Sequence, residues 1–60
     1  MKSKEFHRQI IKSKKWWYVA AEGSHYIYED KNGTRYSVPY HGAKEIPEPL
    51  RKKIVKGMGI

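Results

Sequence analysis

Hydrophobic residues near the N-terminus recur at helical spacing. Phe6 and Ile10 lie one turn apart, and the positions between them are mostly charged or polar. Ser3 is a suitable N-cap residue, and Glu5 falls in the first turn, where a negative charge complements the helix dipole. The pattern predicts a first helix from residue 3 to about residue 14, with a narrow apolar stripe.

The middle of the chain changes to strand-like segments separated by turn residues. Residues 16–21 are aromatic and β-branched and end at the turn signal Gly23-Ser24, after which residues 25–29 and 34–38 form two further runs of this kind. The four residues 30–33 include Asn-Gly, which favours a hairpin connection. The pattern predicts a three-stranded antiparallel meander.

Alternation along these strands allows two choices of buried face. One choice would bury Trp17, Val19 and Ile27. The other leaves His25 on the open face and buries the larger aromatic set, namely Trp16, Tyr18, Tyr26, Tyr28, Tyr36 and Val38. We expect the second choice, because burial stabilises by about 25 cal/mol per Å² of apolar area removed from water.

A second helix is predicted at the C-terminus. Pro39 ends the strand ladder because it has no N–H to donate, and residues 40–46 form a loop. The helix begins around Pro47–Pro49, and Gly59 can take the left-handed position that closes it. Its apolar residues recur every four positions: Leu50, Ile54 and Met58. The predicted order is α-β-β-β-α, an α+β fold in which both helices cover one face of the sheet.

The length of 60 residues allows one domain, residues 1–60. The absence of cysteine excludes disulfides, Cys-ligated zinc and thiol catalysis. The sequence has neither a signal-peptide pattern nor an apolar run of membrane-spanning length. We therefore expect a cytoplasmic protein without a membrane partner.

Positive charge dominates the two ends of the chain. There are 13 Lys and Arg residues against 6 Asp and Glu residues, a net charge of +7. The basic residues cluster in the first fifteen and the last ten positions. Such a field attracts polyanions, so RNA or DNA is the leading partner class, although surfaces that dock an acidic protein share this composition.

The three histidines differ in their sequence context. His25 begins a predicted strand and is therefore held by a stiff scaffold, and imidazole titrates near neutral pH. It either moves protons or has the simpler role of capping a strand. His41 is a second proton carrier, an RNA contact or a loop-stabilising group, and His7 is expected to be a solvated surface residue. The three show no metal-ligand spacing, so no metal site is predicted.

Several short motifs occur together in an order that resembles the HicA toxins. Gly23-Ser24-His25 is followed three residues later by an aromatic residue, and Val38-Pro39-x-His41 comes about a dozen residues downstream. An acidic-to-proline helix entry and the ending Met58-Gly59-Ile60 complete the series, and Trp16 matches a usual aromatic position. The similarity covers nearly the whole chain.

The resemblance implies an mRNA interferase of a type II toxin–antitoxin pair, with a fold similar to the double-stranded RNA-binding domain. It implies one key histidine, which His25 matches, and neutralisation by a HicB antitoxin. Two positions depart from the family pattern. Lys15 stands where a glycine usually closes the first helix, and Ala20 stands where a basic or polar residue is common.

RNA supplies its own nucleophile, the 2′-hydroxyl, once a base removes its proton. We therefore expect His25 to act as a general acid or base without a metal, a cofactor or a small-molecule ligand. Further residues are candidates for substrate contact: Ser24, Arg35, Tyr40, His41 and Lys44. Of these, Arg35 and Lys44 are expected near the scissile phosphate and Tyr40 beside an unpaired base, whereas Ser24 is better explained by turn geometry.

Two alternatives remain open from the sequence. A non-catalytic module would bind structured RNA by shape and charge, and a small interaction protein would dock an acidic partner on its basic face. Cleavage of RNA in EDTA distinguishes the nuclease from the first alternative, and salt-sensitive RNA affinity distinguishes the RNA-binding module from the interaction protein.

Overall fold

A computed structural model describes all 60 residues. Two helices flank a three-stranded antiparallel sheet of order β1-β2-β3. The elements are α1 (Ser3–Lys12), β1 (Trp16–Glu22), β2 (His25–Asp30), β3 (Arg35–Pro39) and α2 (Glu48–Met58). The predicted order and the α+β class are confirmed, and the element boundaries lie within about two residues of those predicted. Neither helix is both long and apolar enough to span a membrane.

The buried face of the sheet is the one that carries the larger aromatic set. Trp17 and Val19 are exposed, as expected for the open face. Tyr18 departs from the prediction, because it is 49% exposed beside a β-bulge that shifts the register between Tyr18 and Ala20. The core joins both helices, the sheet and one loop residue: Phe6, Ile10, Trp16, Tyr28, Val38, Ile46, Ile54 and Met58.

The start of α1 is closed by a loop and not by a side-chain cap. Lys2 occupies the N-cap position without a side-chain hydrogen bond, so the prediction of Ser3 as N-cap is wrong. Ser3 is buried, and its backbone N–H donates to the Lys44 carbonyl at 2.8 Å, while the Lys4 N–H donates to the Gly42 carbonyl at 2.9 Å. Because loop carbonyls satisfy these N–H groups, the loop between β3 and α2 is docked on the start of α1.

A left-handed residue lies within two positions of the C-terminal end of each helix. Gly59 closes α2 with φ 69° and donates its N–H to the Val55 carbonyl at 2.9 Å, as predicted. After α1 the left-handed residue is Lys14, with φ 60°. A lysine at this backbone position is strained, since its Cβ crowds the following carbonyl oxygen.

The connection between β1 and β2 has two residues. Gly23 has φ 59° and Ser24 has no positive φ, which is typical of a type II′ turn with glycine at its first central position. This tight turn fixes the pairing of the residues on either side of it, and Glu22 lies directly opposite His25.

Candidate functional site

His25 is the first residue of the central strand and is exposed to solvent. It pairs with Glu22 on β1 and with Pro39 on β3, so both neighbouring strands hold its backbone. Alternation from the buried Tyr28 puts its side chain on the open face of the sheet. The imidazole is therefore accessible to a large substrate and is carried by a rigid part of the molecule.

Glu22 is a candidate site residue that none of the sequence motifs singles out. It is exposed and is the cross-strand partner of His25. Side chains of residues directly opposite in an antiparallel pair have Cβ atoms about 4.5–5.5 Å apart. The signal that predicts this pairing is the two-residue Gly-Ser turn, because its flanking residues must face each other across the hairpin.

The loop after β3 lies at the same end of the sheet as His25. The Tyr40 N–H donates to the Ser24 carbonyl at 2.7 Å, which ties this loop to the β1–β2 turn. The His41 N–H donates to Ser3 Oγ at 3.0 Å, and the Lys44 N–H donates to the His41 carbonyl at 3.1 Å. These bonds bring four of the predicted site residues to the His25 end of the sheet: Ser24, Tyr40, His41 and Lys44.

Arg35 lies at the other end of the sheet, and its expected position near His25 is wrong. It pairs with Glu29 across β2 and β3, and its Nε lies 3.0 Å from Glu29 Oε1. Glu29 is four residues along β2 from His25, roughly 14 Å at about 3.4 Å per residue. The reason is the hairpin geometry, because the residue that follows the β2–β3 turn pairs with the end of β2 and not with its start.

Tyr40 is half-buried and already stacks on another ring. Its ring centroid lies 4.5 Å from that of Tyr26, and the two planes are 6° apart. One face of the Tyr40 ring is therefore covered by Tyr26. The hypothesis that Tyr40 contacts an unpaired base stays a prediction, and the geometry limits such a contact to the outer side of the pair.

His7 is buried, so the expectation of a surface residue is wrong. It is 4% exposed, and its Nδ1 lies 2.6 Å from Tyr28 Oη while its Nε2 lies 2.8 Å from the Pro39 carbonyl oxygen. The sequence does contain a signal for this, because the four buried residues of α1 follow the spacing i, i+3, i+4, i+7. They are Ser3, Phe6, His7 and Ile10.

The two hydrogen bonds of His7 define its tautomer. A carbonyl oxygen only accepts, so Nε2 carries the proton and donates to Pro39, and Nδ1 accepts from the Tyr28 hydroxyl. Burial lowers the pKa of His7, and the bond to the Pro39 carbonyl opposes this only in part. Burial likewise raises the pKa of Tyr28 to about 12. His7 is thus a neutral residue of α1 that bonds to Tyr28 on β2 and to Pro39 on β3, and we call this arrangement the His7 clamp. Pro39 is also the residue that pairs with His25.

None of the three ion pairs includes a residue of α1. The Met1 ammonium donates to Glu45 Oε2 at 2.8 Å, which raises the pKa of the terminal amine. Arg51 pairs with Glu48 and lowers the pKa of that carboxyl. Arg35 takes part in the third pair, so the cations of α1 have no carboxylate partner. No group of three His, Asp or Glu side chains comes together in an arrangement that could hold a metal ion.

Comparison with known proteins identifies the family. A family model described as the HicA toxin of bacterial toxin–antitoxin matches residues 3–60. The chain is 40% identical over 60 residues to the "Probable mRNA interferase HicA 2" of Photorhabdus laumondii, covering 100% of this chain and 98% of that protein. It is 42% identical over 60 residues to the "Probable mRNA interferase HicA" of Pseudomonas fluorescens, covering 100% of this chain and 97% of the relative. No solved structure gives a significant match. The family match over almost the whole chain and the full-length similarity to both relatives show that the chain belongs to the HicA toxin family of bacterial toxin–antitoxin systems.

Proposed function

We propose that this protein is an endoribonuclease toxin that cleaves mRNA and that His25 transfers a proton in the cleavage step. The support is the family, the names of two full-length relatives as probable mRNA interferases, and the exposure of His25 at the start of the central strand. The observation that carries the proposal is this exposed, backbone-fixed imidazole on a chain with a net charge of +7.

The reaction is an attack of the 2′-hydroxyl oxygen on the adjacent phosphorus. The new bond to phosphorus closes a 2′,3′-cyclic phosphate, and the bond from phosphorus to the 5′-oxygen breaks. One group removes the proton of the 2′-hydroxyl, and another delivers a proton to the departing 5′-oxygen. Because RNA carries the nucleophile, these two proton transfers require neither a metal ion nor a cofactor.

Glu22 is our candidate for the second proton carrier. It faces His25 across the β1–β2 hairpin, so a carboxylate and an imidazole on neighbouring strands provide the two titratable groups that the reaction needs. His41 is also exposed at this end of the sheet, but it lies in a loop, whereas Glu22 is held by the strand pairing. We therefore assign the second transfer to Glu22 and a substrate contact to His41.

Lys44 is the proposed cation for the scissile phosphate. Its side chain is exposed, and its backbone is held on both sides by the His41 carbonyl and the Ser3 N–H. A cation beside the scissile phosphate stabilises the charge that develops on the phosphate oxygens. Arg35 is left out of this role, because it pairs with Glu29 at the far end of β2.

The proposed partner is a HicB-type antitoxin that covers the His25 face, as expected for a toxin of this family. Expression of the chain alone should arrest growth, and co-expression of the cognate antitoxin should restore it. An antitoxin that restores growth should also prevent RNA cleavage by the purified toxin. Growth that is unaffected by the toxin would contradict the assignment.

The direct test is digestion of single-stranded RNA in EDTA by the native chain and by His25→Ala. We expect the substitution to lower the cleavage rate by about 10²- to 10⁴-fold, the usual contribution of general acid–base catalysis. Ser37→Ala is the matched control, because Ser37 is exposed on β3 opposite Ile27 and has no proposed role. Equal rates for the native chain and His25→Ala would refute the mechanism. Tight binding without cleavage by the native chain would favour the non-catalytic RNA-binding module, and no salt-sensitive RNA affinity would favour the protein-docking alternative.

A further inference from the structure

We propose that the cleft between α1 and the sheet is a second RNA contact site, which holds an unpaired base of the substrate while α1 contacts the flanking phosphates. The proposal rests on the proposed function in that the ligand is RNA. It adds a binding site on the helix side of the sheet, away from the open face that carries His25.

The cleft has an aromatic lining. Its volume is about 490 Å³, and Tyr18, Tyr26 and Tyr40 line its sheet side above the buried His7. The Tyr18 and Tyr26 ring centroids lie 5.2 Å apart at an interplanar angle of 62°, and Tyr26 stacks on Tyr40. Nucleic-acid bases stack on such rings irrespective of their sequence, because every base has a π-face. The lining therefore suits a flat ring that enters from solvent.

The rim of the cleft exposes apolar surface. Tyr18 is 49% exposed and Ile11 is 53% exposed, and both residues line the cleft. An exposed apolar patch with a polar rim is typical of a ligand-binding surface. The β-bulge next to Tyr18 accompanies the exposure of this side chain, and bulges often change the direction of a side chain beside a functional site.

The charges on this side of α1 indicate which ligand fits. Lys4, Arg8 and Lys12 are spaced four residues apart and so lie along one side of the helix. Lys4 and Arg8 line the aromatic cleft, and Arg8 and Lys12 line a second groove of about 320 Å³, which shares Arg8 and Ile11 with the cleft. Like charges at this spacing repel one another, and none of the three takes part in an ion pair. A polyanion with regularly spaced negative charges would neutralise all three cations.

Single-stranded RNA satisfies both features at once. Its phosphates match the row of cations, and its unpaired bases match the aromatic lining. An acidic peptide without aromatic residues would neutralise the cations but would leave the stacking surface unused, and an apolar peptide would bury the cations without partners. The combination of rings and cations therefore favours RNA.

The cleft and His25 meet at one end of the sheet. Tyr40 lines the cleft, and its N–H donates to the carbonyl of Ser24, the residue before His25. A strand that places one base against Tyr40 and passes over the β1–β2 turn reaches the open face beside His25. The cleft would thus hold a nucleotide that flanks the cleaved bond and would align the backbone for the attack.

The test measures binding of a labelled single-stranded RNA by fluorescence anisotropy, with His25→Ala as the background so that the RNA remains intact. Tyr18→Ala is the main variant, and Trp17→Ala is its matched control, because Trp17 is 47% exposed, does not line the cleft and pairs with Glu29 at the end of the sheet far from His25. We expect Tyr18→Ala to weaken binding by about 5- to 100-fold, as for the loss of one base stack, and Trp17→Ala to have a much smaller effect. With an RNA that lacks the bases, the Tyr18→Ala effect should disappear.

A second pair of variants tests the phosphate contact. Arg8→Gln should weaken binding to both RNAs and lower the slope of log affinity against log salt by about 1. Lys31→Gln removes the same charge in the β2–β3 turn and should change the slope less. If Tyr18→Ala does not fold by circular dichroism, Tyr18→Leu removes the ring and keeps apolar volume.

The proposal is overturned if Tyr18→Ala and Trp17→Ala weaken binding equally, or if the Tyr18→Ala loss persists with the baseless RNA. It is also overturned if the cleft variants lose an acidic peptide or the antitoxin but retain RNA. Because these assays use His25→Ala, they do not depend on catalysis. A native chain that binds RNA through the cleft and fails to cleave it would contradict the nuclease proposal alone, and the reverse result would contradict the cleft alone.

Discussion

The two hydrogen bonds of His7 predict that replacing this residue lowers the stability of the fold. In His7→Phe a ring of similar size remains in the core, but it cannot accept from the Tyr28 hydroxyl or donate to the Pro39 carbonyl. Leaving the buried Tyr28 hydroxyl without a partner costs about 1–3 kcal/mol, and losing the bond to the half-buried Pro39 carbonyl costs about 0.5–1.5 kcal/mol. We expect a loss of about 2–4 kcal/mol in the free energy of unfolding.

That loss is large for a chain of this size. At about 0.05–0.15 kcal/mol per residue, a domain of 60 residues has a total stability on the order of 3–9 kcal/mol. Replacing both partners with apolar rings removes the unsatisfied hydroxyl, so His7→Phe combined with Tyr28→Phe should be less destabilised than the sum of the single changes. The difference should be about 1–2 kcal/mol.

Urea unfolding followed by tryptophan fluorescence measures these values, since Trp16 is buried. His7→Phe within about 0.5 kcal/mol of the native chain, or strictly additive single changes, would refute the account of the clamp. Lys53→Ala, an exposed position on α2, serves as the control for an ordinary surface substitution.

The same clamp predicts a pH dependence. Burial lowers the pKa of His7 in the folded chain below the value of about 6.5 expected for the unfolded chain. The charged residues that line the same cleft, Lys4 and Arg8, are cations and do not oppose this shift. Below that pH the unfolded chain binds more protons than the folded chain, so stability falls as the pH drops from about 6.5 toward the folded pKa. His7→Phe should lose this part of the pH dependence. An unchanged slope in the variant would show that other groups cause it.

Three further predictions concern the turns, the packing of α2 and the site. Lys14→Gly should raise stability by about 0.5–1 kcal/mol in urea unfolding, because φ 60° strains a lysine more than a glycine, and a loss would contradict this. Gly57→Ala should lower stability by about 1 kcal/mol, although alanine has the better helix propensity, because the added Cβ would lie 2.7 Å from the Tyr36 hydroxyl oxygen. A more stable variant would indicate that the Tyr36 side chain moves freely. Glu22→Gln should slow RNA cleavage about 100-fold and remove one limb of the pH–rate profile, whereas an unchanged profile would leave His25 without this partner.

Much of the fold follows from local patterns in the sequence. The change from helical to alternating spacing predicts the order of elements, and the turn at Gly23 predicts where β1 ends, because periodicity and turn chemistry depend only on neighbouring residues. The left-handed position of Gly59 is local in the same way. The choice of buried face follows from apolar area, since one face carries more aromatic surface than the other. The series of short motifs from Trp16 to the ending Met58-Gly59-Ile60, and not the motif around His25 alone, suggested the family.

The tertiary structure decided the features that depend on which element packs across from which. His7 looks like a surface residue until β2 and β3 supply a hydroxyl and a carbonyl on either side of its ring. The sequence around Ser3 predicts a helix cap, but carbonyl groups of the loop before α2 satisfy the first N–H groups of α1. Arg35 was expected near His25, but the β2–β3 pairing places it at the far end of the sheet. The aromatic cleft likewise exists only because α1 leaves part of the sheet uncovered. Local pattern sets what each segment is, but contacts between segments far apart in the chain set what surrounds each side chain, and the chemistry of a site depends on those surroundings.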